Sequence, residues 1–177
     1  VAAHNSLCAN HLNLFASEEQ KRKYLTRLAK GETLGSWGLT EAGAGSDAAA
    51  LKTRAVKKGD HWVLNGSKLF ITNGSLAEIH VVMAITDPEK KRKGISAFIL
   101  EKGMDGFTVG KKEDKLGIRA ADTSELIFED VRVPEENLID EEGKGYRQAM
   151  AILDGGRVSI AGFSLGIAAG ALESALK

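Results

Sequence analysis

Residues 54–74 read RAVKKGDHWVLNGSKLFITNG. Apolar and polar residues alternate with a period of two over Thr53–Lys57, His61–Leu64 and Lys68–Ile71, the repeat of half-buried strands. Lys58-Gly59-Asp60 and Asn65-Gly66 interrupt them with residues that tolerate positive φ, the chemistry of tight turns. Working outward, the same period predicts strands at Thr33–Leu39, Ile79–Thr86, Ser96–Glu101, Phe107–Val109 and Ser124–Phe128. Asp87-Pro88 and the charged run from Glu89 to Gly94 form a loop between two of them. Strands this short and evenly spaced predict a small antiparallel barrel or sandwich rather than a βαβ sheet.

Beyond both edges of this region the period changes to that of a helix. Ser17 with Gln20 makes a capping box, and Glu18 and Glu19 suit the positive end of a helix dipole. Tyr24, Leu25 and Leu28 follow as an apolar stripe among Lys21, Arg22, Lys23 and Arg27, and Gly31 ends it. At the other edge Val158, Ala161, Leu165, Ala168, Leu172 and Ala175 recur every three or four residues. The expected class is therefore mixed α and β, segregated: an antiparallel β-barrel-like middle domain flanked by truncated all-α segments. The expected divisions are 1–31, 32–138 and 143–177. With Val1 in place of Met and an apolar period still running at Lys177, the chain reads as a fragment.

Composition narrows the function. Lys and Arg total 24 and Asp and Glu total 24, a net charge of zero, which argues against a nucleic-acid binder or a basic membrane-surface protein. The lone Cys8 excludes an internal disulfide framework and suits a reducing compartment. The apolar run Ile160–Leu172, broken by Gly162, Ser164, Gly166 and Gly170, falls short of the ~18 residues of a membrane span. Those glycines, one every fourth residue, predict close packing on a neighbouring helix. Yet Gly numbers 20 and Pro only 2, an excess that local concentrations must explain.

One concentration is Trp37-Gly38-Leu39-Thr40-Glu41-Ala42-Gly43-Ala44-Gly45-Ser46-Asp47, directly after a predicted strand. Gly43 and Gly45 let backbone N–H groups approach an anionic or planar ligand, and Thr40 and Ser46 add hydroxyls. No Gly-Lys-Ser/Thr follows, so this is not a Walker loop. A glycine-rich turn capped by Ser46 and Asp47 reads equally well from the residues alone. Lys68-Leu69-Phe70-Ile71-Thr72-Asn73-Gly74 ends a strand with an aromatic, a hydroxyl and an Asn-Gly turn. It can grip the face and edge of a planar ring, or simply place Phe70 in the core of a hairpin.

GLTEAGAGSDAAA, with FITNG some thirty residues later, resembles the acyl-CoA dehydrogenase family. Phe128-Glu129-Asp130-Val131-Arg132-Val133-Pro134 and Asp154-Gly155-Gly156-Arg157 fit the same order, so the likeness runs along the whole chain. The resemblance implies an FAD-dependent oxidoreductase that dehydrogenates acyl-CoA thioesters between Cα and Cβ. It implies that Trp37, Leu39, Thr40, Gly45, Ser46, Phe70, Ile71 and Thr72 bind FAD, with the Leu39 backbone and Thr40 at the pyrimidine end of the ring and Thr72 near N5. Phe70 stands where many members have Trp. Ser46, Asp154 and Arg157 are implied to contact acyl-CoA. It favours one continuous helix through Asp154-Gly155-Gly156 over a helix–turn–helix.

The family's usual catalytic base is a Glu in the C-terminal bundle, outside this sequence, and some members place it just before the Arg, where Gly156 stands. No catalytic residue is therefore assigned, and the fragment alone is expected to be inactive. Asp154-Gly155-Gly156-Arg157 leans towards short-chain, butyryl-type members. An electron-transfer flavoprotein as acceptor, a homotetramer, and the bacterial cytoplasm or mitochondrial matrix are implied in the same way. The alternatives are an acyl-CoA oxidase-like or nitroalkane oxidase-like flavoenzyme, or a non-catalytic acyl-CoA or flavin-binding scaffold.

Three further features have plainer readings. His4, Cys8 and His11 share a helical face, but a face meeting its neighbours explains them better than a metal. Lys90-Lys91-Arg92-Lys93 is a solvated loop, with Arg92 or Lys93 the candidate partner of a CoA phosphate. Glu41 and Asp47 are expected to brace the glycine-rich loop.

Overall fold

The computed structural model describes residues 1–177. Its first helical stretch winds through π-type turns at Ala3–Ala9 into α1 (Asn10–Phe15). The capping box then starts a second stretch: Gln20 N–H donates to Ser17 Oγ at 3.2 Å, and Ser17 N–H to Gln20 Oε1 at 2.9 Å. It runs through α2 (Glu18–Gln20) and π-type turns at Lys21–Leu25 to α3 (Thr26–Ala29). The Gln20 amide also donates to the carbonyls of Glu136 and Leu138, so the cap ties this stretch to the far end of the sheet.

Eight strands follow: β1 (Gly35–Gly38), β2 (Arg54–Lys58), β3 (His61–Thr72), β4 (Ile79–Ile85), β5 (Ile95–Glu101), β6 (Phe107–Lys112), β7 (Thr123–Pro134) and β8 (Leu138–Ile139). They form one sheet in the order β6-β7-β3-β2-β4-β5-β8, with β1 also paired to β4. This corrects two expectations. The sheet is mixed rather than antiparallel, because β1 and β2 both run parallel to β4. It also stays open, with β6 and β8 at its edges, and does not close into a barrel. Hydrophobic period reports which face of a strand is buried, not which way its neighbour runs.

The residues that alternate along β4 and β5 build two cores. Ile79, Val81, Met83, Ile95, Ala97 and Ile99 pack with Cys8, Leu12, Tyr24 and Leu28 of the helices and with Ala149 and Ile152. Val82, Ala84, Phe98 and Leu100 point the other way, to Trp62, Leu64, Leu126, Phe128, Val131 and Val133. Both strands are thus covered on both faces, which is why they read as nearly unbroken apolar runs.

The two short strands expected at His61–Leu64 and Lys68–Ile71 are one long strand, paired with β7 along its length. Asn65-Gly66 is a bulge in it rather than a turn. Gly66 has φ +139°, and a Cβ there would lie 2.7 Å from Thr53 Cα, so the close approach of Thr53, just before β2, demands glycine. A second irregularity falls between Lys68 and Ile71, where Phe70 adopts φ +58°.

The last element, α4 (Gly145–Ala175), is one continuous helix through Asp154-Gly155-Gly156, with no turn there. Gln148, Ala149, Ile152 and Gly156 are buried, while every residue from Arg157 onward is exposed. Nothing in the chain lies within 4 Å of a Cβ built on Gly162, Gly166 or Gly170. By length and composition alone α4 would pass as a membrane-crossing helix, a stronger apolar signal than the broken run Ile160–Leu172 suggested.

Candidate functional site

The glycine-rich loop leaves β1 and is fastened at its neck by one side chain. Glu41 accepts hydrogen bonds from the amides of Lys52 (2.6 Å) and Thr53 (3.1 Å), so its carboxylate closes the segment between them. Lys68 Nζ donates to Glu41 Oε1 at 2.6 Å and to the Leu39 carbonyl at 3.3 Å. The Lys68 side chain is wholly buried and that of Glu41 nearly so. Burial pushes the Lys68 ammonium down to about 8, against the pull of Glu41. Burial raises the Glu41 carboxyl, but the Lys68 charge and the Thr53 and Lys52 hydrogen bonds outweigh it and hold it below the usual range. Asp47 caps Ala49 N–H at 3.1 Å, so both loop carboxylates brace the loop.

The two motifs are adjacent. Leu69 N–H donates to the Thr40 carbonyl at 2.8 Å, which joins the loop to the end of β3. Beyond it Phe70 stands 61% exposed in a left-handed conformation, costly for a bulky residue and sustained only where the surroundings impose it. The turn after Thr72 is held by Asn73 Nδ2 donating to the Gly35 carbonyl and by Asp122, which accepts from the amide and hydroxyl of Ser75. The amides of Gly43, Gly45 and Ser46 donate to no backbone carbonyl, and the hydroxyls of Thr40, Ser46 and Thr72 have no partner within the chain.

Thr72 also lines a mostly apolar cavity of about 520 Å³ between the first helical stretch and α4. Leu7, Leu153, Gly156, Arg157 and Ile160 form its walls. A Cβ on Gly156 would stand 3.0 Å from Leu7, so the glycine permits the two helices to approach. Arg157 Nη1 donates to Asp154 Oδ1 at 2.6 Å on the exposed face of α4, where both side chains remain open to solvent.

The expected residues therefore fall into groups. Thr72 and Arg157 share the cavity; Thr40 and Phe70 flank the junction; Gly45 and Ser46 sit on the exposed loop. The side chains of Trp37, Leu39 and Ile71 are buried in the cores. Trp37 donates its indole N–H to His11 Nδ1 at 3.1 Å. His4 and His11 spend both ring nitrogens on Gly35, Leu28, Trp37 and Gln148, and burial pushes the Cys8 thiol up to about 12. These three residues are packing groups.

The sequence assigned no role to Lys68 or Asp122, and marked Asn73 only as a turn residue. A signal for Lys68 did exist: a lysine in line with the apolar inward positions Trp62, Leu64 and Ile71 needs a buried counter-charge. Finding that Glu41 supplies it, across most of a strand and a loop, took the fold.

Profiles of the acyl-CoA dehydrogenase middle and N-terminal domains match residues 36–131 and 1–32. The chain belongs to the acyl-CoA dehydrogenase family. It is 58% identical over 99% of its length to a short-chain specific acyl-CoA dehydrogenase of Clostridium acetobutylicum, of which it covers 46%. It superposes with a TM-score of 0.97, at 53% identity, on butyryl-CoA dehydrogenase from Megasphaera elsdenii, covering 99% of this chain and 46% of that one. A chain in the solved structure of the electron transferring flavoprotein of Acidaminococcus fermentans matches with a TM-score of 0.98 and 56% identity, covering 99% and 46%. The chain thus spans about half the length of the relatives it matches.

Proposed function

We propose that the protein to which this chain belongs dehydrogenates short acyl-CoA thioesters with FAD. The observation that carries this reading is the cavity shared by Thr72 and Arg157, because it joins the end of the FITNG strand to the Asp154–Arg157 helix face. The residues fit a flavin: an exposed aromatic ring at Phe70, unspent hydroxyls at Thr40, Ser46 and Thr72, and unspent amides at Gly43, Gly45 and Ser46. Bound there, FAD would supply the hydride acceptor.

Thr40 and Thr72 would hydrogen-bond the ring, with Phe70 against its face and the amides of Gly45 and Ser46 towards its phosphates. Ser46, Asp154 and Arg157 would hold the acyl-CoA, and the apolar walls of Leu7, Leu153 and Ile160 would keep water from a short acyl chain. No residue of this chain stands as the base that removes the α-proton, and Gly156 has no side chain to do so. In the family's usual arrangement the base would come from a C-terminal bundle that these 177 residues do not span, and the 177 residues alone would then not turn over. The divisions 1–31, 32–138 and 143–177, a homotetramer and an electron-transferring flavoprotein as acceptor complete the proposal, the last supported by the Acidaminococcus fermentans likeness.

The full-length protein should purify yellow and bleach when butyryl-CoA is added without oxygen. A colourless protein that takes up no FAD would refute the reading. Bleaching followed by rapid oxygen consumption without a protein acceptor would favour the oxidase alternative.

A further inference from the structure

We propose that Glu41 and Lys68 are positioning residues for the flavin: their buried ion pair fixes the glycine-rich loop against the end of β3, so that the Thr40 and Thr72 hydroxyls keep one relative placement. This rests on the FAD reading above. Three contacts converge on the pair. Glu41 closes the loop neck through the amides of Lys52 and Thr53, and Lys68 reaches it from β3 while also holding the Leu39 carbonyl. The Leu69–Thr40 backbone bond lies beside them. Gly38 makes room, since a Cβ there would press on Lys68 Cγ at 3.3 Å.

Stability alone does not account for such a pair. A buried ion pair adds little over apolar groups of the same shape, because desolvating two charges offsets their attraction. What it adds is direction: the ammonium must meet both the carboxylate and the Leu39 carbonyl, which sets the register of residues 39–41 on residues 68–72. Apolar packing tolerates sliding that a 2.6 Å charged hydrogen bond does not.

The test uses the full-length protein with Glu41→Gln, Lys68→Met and the double variant. Glutamine keeps one of the two acceptor oxygens that the loop amides use, and methionine fills the space of the lysine stem. Each single change strands a polar or charged partner and lowers the stability of the flavin-free protein. The double variant leaves no unpaired charge, only the Leu39 carbonyl and one loop amide without their bonds, and should regain most of that stability. It should nonetheless bind FAD about tenfold or more weaker and show an altered visible spectrum of the bound flavin. A double variant with wild-type FAD affinity and spectrum would overturn the proposal, leaving the pair as core packing. Should both singles fail to fold, the double variant decides by itself. Loss of stability in the double variant equal to that of the singles, with FAD affinity unchanged in any that fold, would also overturn it. A wild-type protein that binds no FAD defeats the functional reading instead, a result separate from either.

Discussion

His11 and His80 are enclosed, and burial pushes each ring down to about 4; at His11 the Gln148 bond opposes this only in part. Both are neutral in the fold, whereas in the unfolded chain they take up protons below about 6.5. The unfolded state therefore binds more protons between those values, and stability falls as pH drops from about 6.5 towards about 4. Each ring contributes up to ~3 kcal/mol to that loss. Denaturant unfolding of the 177-residue chain across this interval should show the decline, most of it above the range in which ordinary carboxylates titrate. A flat profile would mean that the rings are hydrated. The helical spacing of His4, Cys8 and His11 marked a face that meets its neighbours, and the structure buries it, but the spacing did not say what covers it, and no pattern singled out His80 in β4.

Among the elements, β3 departs most from its sequence pattern. Its apolar alternation predicted the strand character correctly, and Asn65-Gly66 correctly marked a break in the ladder, but local composition does not distinguish a bulge from a hairpin turn. The partner decides: β7 pairs with both halves, so the chain continues instead of reversing. Gly66→Ala should therefore cost about 2–3 kcal/mol, combining a strained φ with a clash against the Thr53 backbone. Gly59→Ala, at φ +63° with open space around it, should cost only about 1 kcal/mol. Equal losses in equilibrium unfolding would show that the Thr53 contact is not limiting. The second bulge turns Phe70 outward, and without it the ring would continue the alternation of the strand.

For the whole molecule, α4 sets the question. Its first turns belong to the core, and its later turns carry Val158, Phe163, Leu165 and Leu172 on exposed faces. If the remainder of the longer protein packs on this helix, the Gly162, Gly166 and Gly170 stripe is its contact line. In the 177-residue chain, Ala at any of these positions should stabilise by about 1 kcal/mol, since the surroundings are open and Ala is the better helix former. In the full-length protein the same substitutions should destabilise. Melting both forms of each variant checks the reversal of sign, and stabilisation in both would remove the stripe from any interface.

The candidate flavin and thioester contacts were implied by the family resemblance alone; the sequence by itself determined most of the helical and strand segments and the capping box. These depend on local pattern, where periodicity and turn chemistry act over a few residues. Only the tertiary structure decided that the sheet is mixed and open, that β3 is one bulged strand, and that Trp37, Leu39 and Ile71 turn their side chains into the cores. It also decided that Lys68 finds Glu41 beneath the glycine-rich loop. Strand direction, burial and ion pairing are set by partners distant in the chain, and no local pattern encodes them.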